Sequence, residues 1–254
     1  MYIDTHTHLY DEQLMVEEDE MIERALQAGV SKMYMPNCDS TTIAGMLHLA
    51  DKWPEHCLPM MGLHPCYVKE SFEEELAIVQ DWLGKRKFAA VGEIGLDYYW
   101  DKTHVAEQKL AFNLQMDWAL QYDLPIVIHS RESTQDCIDL VREKQNGELK
   151  GIFHCFSGTI EEAKQIIDLG MYLGIGGVVT FKKTTLHGIV REVPLQYIVL
   201  ETDAPYLAPV PYRGKRNESS YLPLVAQQIA MLKNIDVAEV AKQTTENAAN
   251  IFPY

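Results

Sequence analysis

The chain has 254 residues, 47% hydrophobic and 23% charged, the balance of a globular protein with a sizeable core. Its formal net charge of −15 excludes non-specific adhesion of the whole surface to nucleic acid, because phosphates would be repelled, although bound cations or a small basic patch can reverse the field locally. The apolar runs are too short to span a bilayer, and the five cysteines (Cys38, Cys57, Cys66, Cys137, Cys155) form no CxxC, which predicts reduced, mostly buried thiols rather than a disulfide framework.

The first strand-like run is YIDTH (2–6), and the two histidines of THTH, His6 and His8, are two residues apart and so share one side of an extended chain. Residues 17–29 read as a helix, with acids in the first turn and Gly29 at the end. Strand-like runs follow at 31–37, 58–64 and 88–95. Residues 105–122 place Leu110, Leu114, Trp118 and Tyr122 at steps of four, which predicts a helix with that row as its apolar face. Further runs at 125–129, 151–155, 171–176 and 197–203 make eight. Helical segments are predicted at 160–170, 221–232 and 236–250, with a short, less well-marked one at 185–192. The methionine-rich pieces MYMP and PMMG read as core packing.

Strands alternating with helices predict right-handed βαβ units and a parallel sheet. Eight units favour a (β/α)8 TIM barrel, expected to occupy residues 1–254 as one domain, over an open doubly wound sheet, and no GxGxxG follows the first run to support a Rossmann reading. No linker rich in proline, glycine or serine divides the chain. The start, Met-Tyr-Ile-Asp, lacks a basic segment followed by an apolar one, so a cytoplasmic location is expected, with no membrane association and no obligate protein partner.

Polar residues gather at the ends of the runs: His6 and His8, His64, Glu93, His129, His154 and Asp203. In a barrel the C-terminal strand ends share one face, so these groups would meet in one mouth, and imidazole with carboxylate suits Zn²⁺, Mn²⁺ or related ions. Each has a plain alternative. A lone histidine is ordinarily a hydrogen-bonded polar residue, Glu93 a structural ion pair, Asp203 a turn cap. Glu93, set within the apolar AAVGEIGLD, needs a partner to remain charged. It is the joint placement at one end of the strands that argues for a metal site. His48, His56, His104 and His187 fall in helical or loop segments and read as solvated surface.

The motifs DTHTHL, GLHP, VGEIGLDYY, IHSR, HCFSG, ETDAPYLAP and RGKRNE occur in the order and spacing of the TatD-like metal-dependent deoxyribonucleases, which look like a branch of the amidohydrolase-type metallohydrolase barrels. The resemblance spans roughly residues 1 to 252. Departures are small: THTH where a cysteine often separates the histidines, HSRES for the commoner HSRDA, RNESSY for RNEPAY. The resemblance implies two divalent metal ions (Zn, Mg or Mn), one held by His6, His8 and Asp203, the other by His129 and His154, with Glu93 bridging. It implies DNA as substrate, a water activated for phosphodiester hydrolysis, and Asp203 as general base.

Further roles follow from placement. His64 is a candidate phosphate contact. Glu201, two residues before Asp203 and one layer deeper, would orient a ligand histidine or form a buried ion pair. Arg131 would reach a phosphate or pair with an acid. Arg213, Lys215 and Arg216 concentrate cations just after the eighth run, where a phosphate site is expected. Tyr98, Tyr99 and Trp100 would stack on a base or pack against neighbouring loops. Asp4 is expected to be structural or to act from behind the ligands. The other enzymatic reading keeps the metals and changes the substrate: an amidohydrolase or small phosphoester hydrolase acting on a metabolite. Many amidohydrolases bridge their metals with a carboxylated lysine where Glu93 stands here, which favours the nuclease.

Overall fold

The structure is a computed structural model that describes residues 1–252. Eight strands lie where the apolar runs predict them: β1 Tyr2–Asp4, β2 Val30–Pro36, β3 Cys57–Met60, β4 Val91–Asp97, β5 Ile126–Arg131, β6 Gly151–Phe153, β7 Tyr172–Ile175 and β8 Ile198–Leu200. Every pairing is parallel. Regular ladders join β1 to β3 and β4 to β8, and two seams complete the ring. At the first seam Met61 bridges Val91, and at the second the Thr5 N–H donates to the Leu200 carbonyl at 3.0 Å. The architecture is the TIM-barrel type.

The helices are α1 Glu12–Met15, α2 Glu18–Gln27, α3 Ile43–Lys52, α4 Phe72–Lys85, α5 Val105–Tyr122, α6 Thr134–Lys144, α7 Ile160–Asp168, α8 Leu186–Glu192, α9 Leu222–Lys233 and α10 Val237–Ile251. The sequence periodicity assigns no helix at α1, α3, α4 or α6. The weakly marked seventh unit is completed by the short α8. Ends are set by local chemistry: Thr159 and Glu162 form a capping box on α7, and Asp236 caps the Ala238 N–H at 2.7 Å to start α10.

Two apolar layers form the core. One lies between strands and helices and takes in Met33, Met35 and Met61, in keeping with the packing role read for the methionines. The other fills the N-terminal end of the barrel, where Ala248, Ile251 and Phe252 at the end of α10 meet Ile3, Tyr34, Leu58 and Val199. Phe252 stacks on Tyr34 with ring centroids 4.2 Å apart. That end is plugged, so polar chemistry is confined to the opposite mouth.

Two expectations are corrected. In α5, Leu110 and Leu114 are 64% and 40% exposed, and the buried row is instead Gln108, Ala111, Phe112, Gln115, Met116, Trp118 and Ala119. Of the four histidines read as solvated, His48 alone is exposed; His56, His104 and His187 are half-buried, and His56 and His187 bond backbone carbonyls at 2.8 Å. All five cysteines are free thiols; Cys57 and Cys137 are buried, while Cys38, Cys66 and Cys155 are half-buried and line the mouth. No described helix is long and apolar enough to cross a membrane.

Candidate metal centre

The strands proper are shorter than the runs, so most candidate residues stand in the loops just beyond them. His6 and His8 follow β1, His64 follows β3, His154 follows β6 and Asp203 follows β8, while Glu93 and His129 lie within β4 and β5. Barrel tilt brings all seven into a cavity of about 990 Å³; His6 lies beneath its floor and the other six line it.

Glu93 is the centre of the cluster. Its Oε2 lies 3.2 Å from His6 Nε2 and 3.6 Å from His8 Nε2. Its Oε1 lies 2.7 Å from His154 Nε2, 2.9 Å from His129 Nδ1 and 3.3 Å from His64 Nε2. Asp203 Oδ1 completes the first group, 3.7 Å from His6 Nε2 and 3.5 Å from His8 Nε2. One carboxylate thus presents each oxygen to a separate set of ring nitrogens. Burial pushes Glu93 towards the neutral form, but the surrounding imidazoles outweigh it and hold the carboxyl well below its usual range.

Hydrogen bonds from behind assign the tautomers. The Tyr10 hydroxyl donates to the Pro36 carbonyl, so it accepts from His8 Nδ1 at 2.9 Å and leaves the Nε2 lone pair facing the cavity. Asp97 Oδ2 accepts a hydrogen bond from His129 Nε2–H at 2.8 Å, and Nδ1 faces Glu93 and His154. Asp97 is fixed in turn by the Tyr99 and Trp100 N–H groups at 2.9 and 3.0 Å. His64 differs: its Nδ1 accepts from the Cys66 N–H at 3.0 Å, so Nε2 carries the proton and acts as a donor. Burial holds His64 below its usual pKa and therefore neutral.

Whether this set suits a cation can be tested on its own atoms. His6 Nε2 and His8 Nε2 are 3.3 Å apart, and His154 Nε2 and His129 Nδ1 are 3.4 Å apart, with carboxylate oxygens beside both pairs. Burial lowers His6 to about 4, so it is a neutral lone-pair donor. Converging imidazole nitrogens and carboxylates are the donor chemistry of a divalent ion site, and the residues present fit it.

Glu201 is fully buried beneath the cluster, accepts from the Cys155 N–H and lies 3.8 Å from His154 Nδ1. Burial pushes its carboxyl up to about 8. It has room because residue 174 is glycine; a Cβ there would overlap the carboxylate. Asp4 takes the Thr202 N–H, the Thr202 hydroxyl and the Ser219 hydroxyl at 2.9, 2.6 and 2.7 Å, pinning β1 to the segment after β8. Asp203 itself adopts a left-handed φ of 56°, uncommon for a residue with a Cβ.

The substrate candidates divide. Arg131 lines the cavity, its guanidinium 4.1 Å from the Tyr99 ring and 5.6 Å from that of Trp100. Tyr98 packs away, donating to Asp136 at 2.8 Å. The expectation that Arg213, Lys215 and Arg216 stand beside the cluster is corrected, since none lines the cavity. Arg213 lies over Phe181 at 4.6 Å. Arg216 turns away to the Gln13 carbonyl at 2.7 Å and Glu17 at 3.2 Å. The following residues are structural: Asn217 bonds the Thr202 and Tyr206 carbonyls, and Glu218 pairs with Arg24 at 2.8 Å.

A parallel barrel with imidazoles and carboxylates converging at its C-terminal mouth belongs to the class of metal-dependent hydrolases. Comparison with known proteins narrows this. The family model described as TatD related DNase matches residues 3–253, and the chain belongs to that family. The uncharacterized metal-dependent hydrolase YabD of Bacillus subtilis is 39% identical over 99% of both chains. The 3'-5' ssDNA/RNA exonuclease TatD of Erwinia tasmaniensis is 31% identical over 98% of both. The crystal structure of YjjV, a TatD homolog from Escherichia coli, superposes with a TM-score of 0.94 at 28% identity, covering 100% of this chain and 98% of that one.

Proposed function

We propose that the protein hydrolyses DNA phosphodiester bonds with two divalent ions, one held by His6, His8 and Asp203, the other by His129 and His154, and both by Glu93. The observation that carries this reading is the division of the Glu93 oxygens between two groups of ring nitrogens. Kinship with an exonuclease named for single-stranded DNA and RNA supports the substrate. Bound there, such ions supply Lewis acidity, lowering the pKa of water and balancing the charge of an in-line displacement.

The chain's own residues do the rest. Asp203, its side chain 15% exposed at the mouth, accepts the proton of the attacking water. His64 donates its Nε2 proton to a non-bridging phosphate oxygen, a role its neutral tautomer permits. Arg131, stacked on Tyr99, offers a guanidinium fork to the phosphate next along the strand. Glu201 lies buried beneath His154, its Oε1 3.8 Å from the ring Nδ1.

The test is cleavage of end-labelled single- and double-stranded DNA by metal-reconstituted protein, beside Glu93→Ala and Asp203→Asn. Loss of a general base costs about 10²–10⁴-fold in kcat. Undiminished cleavage by both variants overturns the site. Hydrolysis of small esters or amides but never of DNA overturns the substrate and favours the metabolite hydrolase.

A further inference from the structure

Outside the cavity, one side of the mouth differs in composition from the rest of the chain. Residues 176–185, after β7, and residues 204–217, after β8, contain five cations and no carboxylate, in a protein with 37 acidic residues. Arg216 is spent in ion pairs with Glu17 and Glu218. The other four, Lys182, Lys183, Arg213 and Lys215, are exposed and have no carboxylate partner among the described residues.

The two loops form one platform. The Val210 N–H donates to the Thr180 hydroxyl at 2.8 Å, and the Arg213 guanidinium lies 4.6 Å over the Phe181 ring. The platform is continuous with the cavity, since Val178 and Leu207, from the same loops, line it. Beside the platform, past the closing seam, the sign reverses: residues 5–11 and 37–42, after β1 and β2, carry Asp11 and Asp39 and no lysine or arginine, and Asp11 accepts from the Tyr206 hydroxyl at 3.2 Å. A polyanion at this rim is attracted over the β7–β8 loops and repelled by the adjoining β1–β2 loops.

We propose that Lys182, Lys183, Arg213 and Lys215 form a track that holds the phosphodiester backbone of a nucleic-acid strand where it leaves the cavity over the β7–β8 side, beyond the bond that is cut. The proposal rests on the phosphodiesterase reading above and adds to it a direction and a dependence on strand length. Exposed ammonium groups grip phosphates by releasing condensed counterions, so the track is sequence-independent and salt-sensitive. Arg213, steadied on Phe181, is the one member with a fixed fork.

The experiment measures binding of a fluorescein-labelled 20-nucleotide phosphorothioate oligothymidylate to the metal-loaded protein by anisotropy across a salt series, with hydrolysis of the ordinary 20-mer and of a thymidine dinucleotide alongside. The Lys182→Ala/Lys183→Ala variant is compared with Lys87→Ala/Lys150→Ala, the same loss of charge at exposed positions just before β4 and β6, at the plugged end. The track predicts that the first variant weakens 20-mer binding about tenfold at 0.1 M salt and flattens the log–log salt slope by about 1.4. The ratio of kcat/KM for the 20-mer to that for the dinucleotide should fall by a similar factor, and the control pair should change none of these. Equal losses in both variants, or no loss in the first, overturn the track. Dinucleotide hydrolysis without binding of the 20-mer overturns the track and leaves the phosphodiesterase reading standing. Binding without hydrolysis of any phosphodiester overturns that reading and leaves the track.

Discussion

Asp97 is the residue of the mouth that sequence reading passed over. It sits in VGEIGLDYY, four positions after Glu93, and an even spacing within a strand puts both carboxylates on one side. The apolar run read from sequence ends at residue 95, whereas β4 continues to Asp97. What only the folded chain supplies is the partner: His129 from β5, whose Nε2–H donates to Asp97 at 2.8 Å. Removing that contact frees the ring to turn and to carry its proton on Nδ1. Asp97→Ala should therefore weaken metal binding by about 10–100-fold, measured by competition with a chromophoric chelator, while far-UV circular dichroism stays unchanged. Unchanged affinity would show that Asp97 does not position His129. Tyr10, which holds His8 in the same manner, was equally hidden, because its tie to Pro36 crosses from the end of β1 to the end of β2.

The helix α5 shows why periodicity found the element and chose the wrong face. Its buried row contains two amides, Gln108 and Gln115, which lower the apolar signal on the side that faces the barrel. Both are paired: Gln115 bonds both backbone groups of Leu63, beside His64, and Gln108 bonds both backbone groups of Asp97. The helix thus steadies two loops of the site through polar contacts, while Leu110 and Leu114 cover its outer side. Phe112→Ala should cost about 3–5 kcal/mol in urea unfolding, the cavity cost of a fully buried aromatic, whereas Leu110→Gln should stay within about 0.5 kcal/mol. Equal costs would restore the leucine row as the packed face. The loop after β8 teaches a related lesson. Three cations in RGKRNE read as one phosphate site, yet Arg216 is claimed by Glu218, two residues on, and by Glu17, an acid close to it only because the chain closes on itself.

At the scale of the whole molecule, the mouth concentrates Glu93, Asp97, Glu201, Asp203 and Asp4 in one largely buried region. Gathering these acids in one buried region sets stability against function, and a cation bound by the native state alone offsets their mutual repulsion. Free metal at about 1,000 times its dissociation constant adds about 4 kcal/mol, which in a chain of this size raises Tm by about 8–16 °C. Scanning calorimetry before and after chelation, with Glu93→Gln as comparison, measures it; equal shifts in both proteins would place the ion elsewhere.

The sequence by itself determined the alternation of strands and helices, because period 2 and period 3.6 are written in local side-chain order. It also determined the roster of histidines and carboxylates, because run ends are local features. Tertiary structure alone decided which of those groups converge, which ring nitrogen of each histidine faces the cavity, and which cations remain free for a substrate. Those outcomes depend on contacts between residues far apart in the chain, such as Asp4 with Thr202 at 2.6 Å across the closing seam, and these exist only once the barrel shuts.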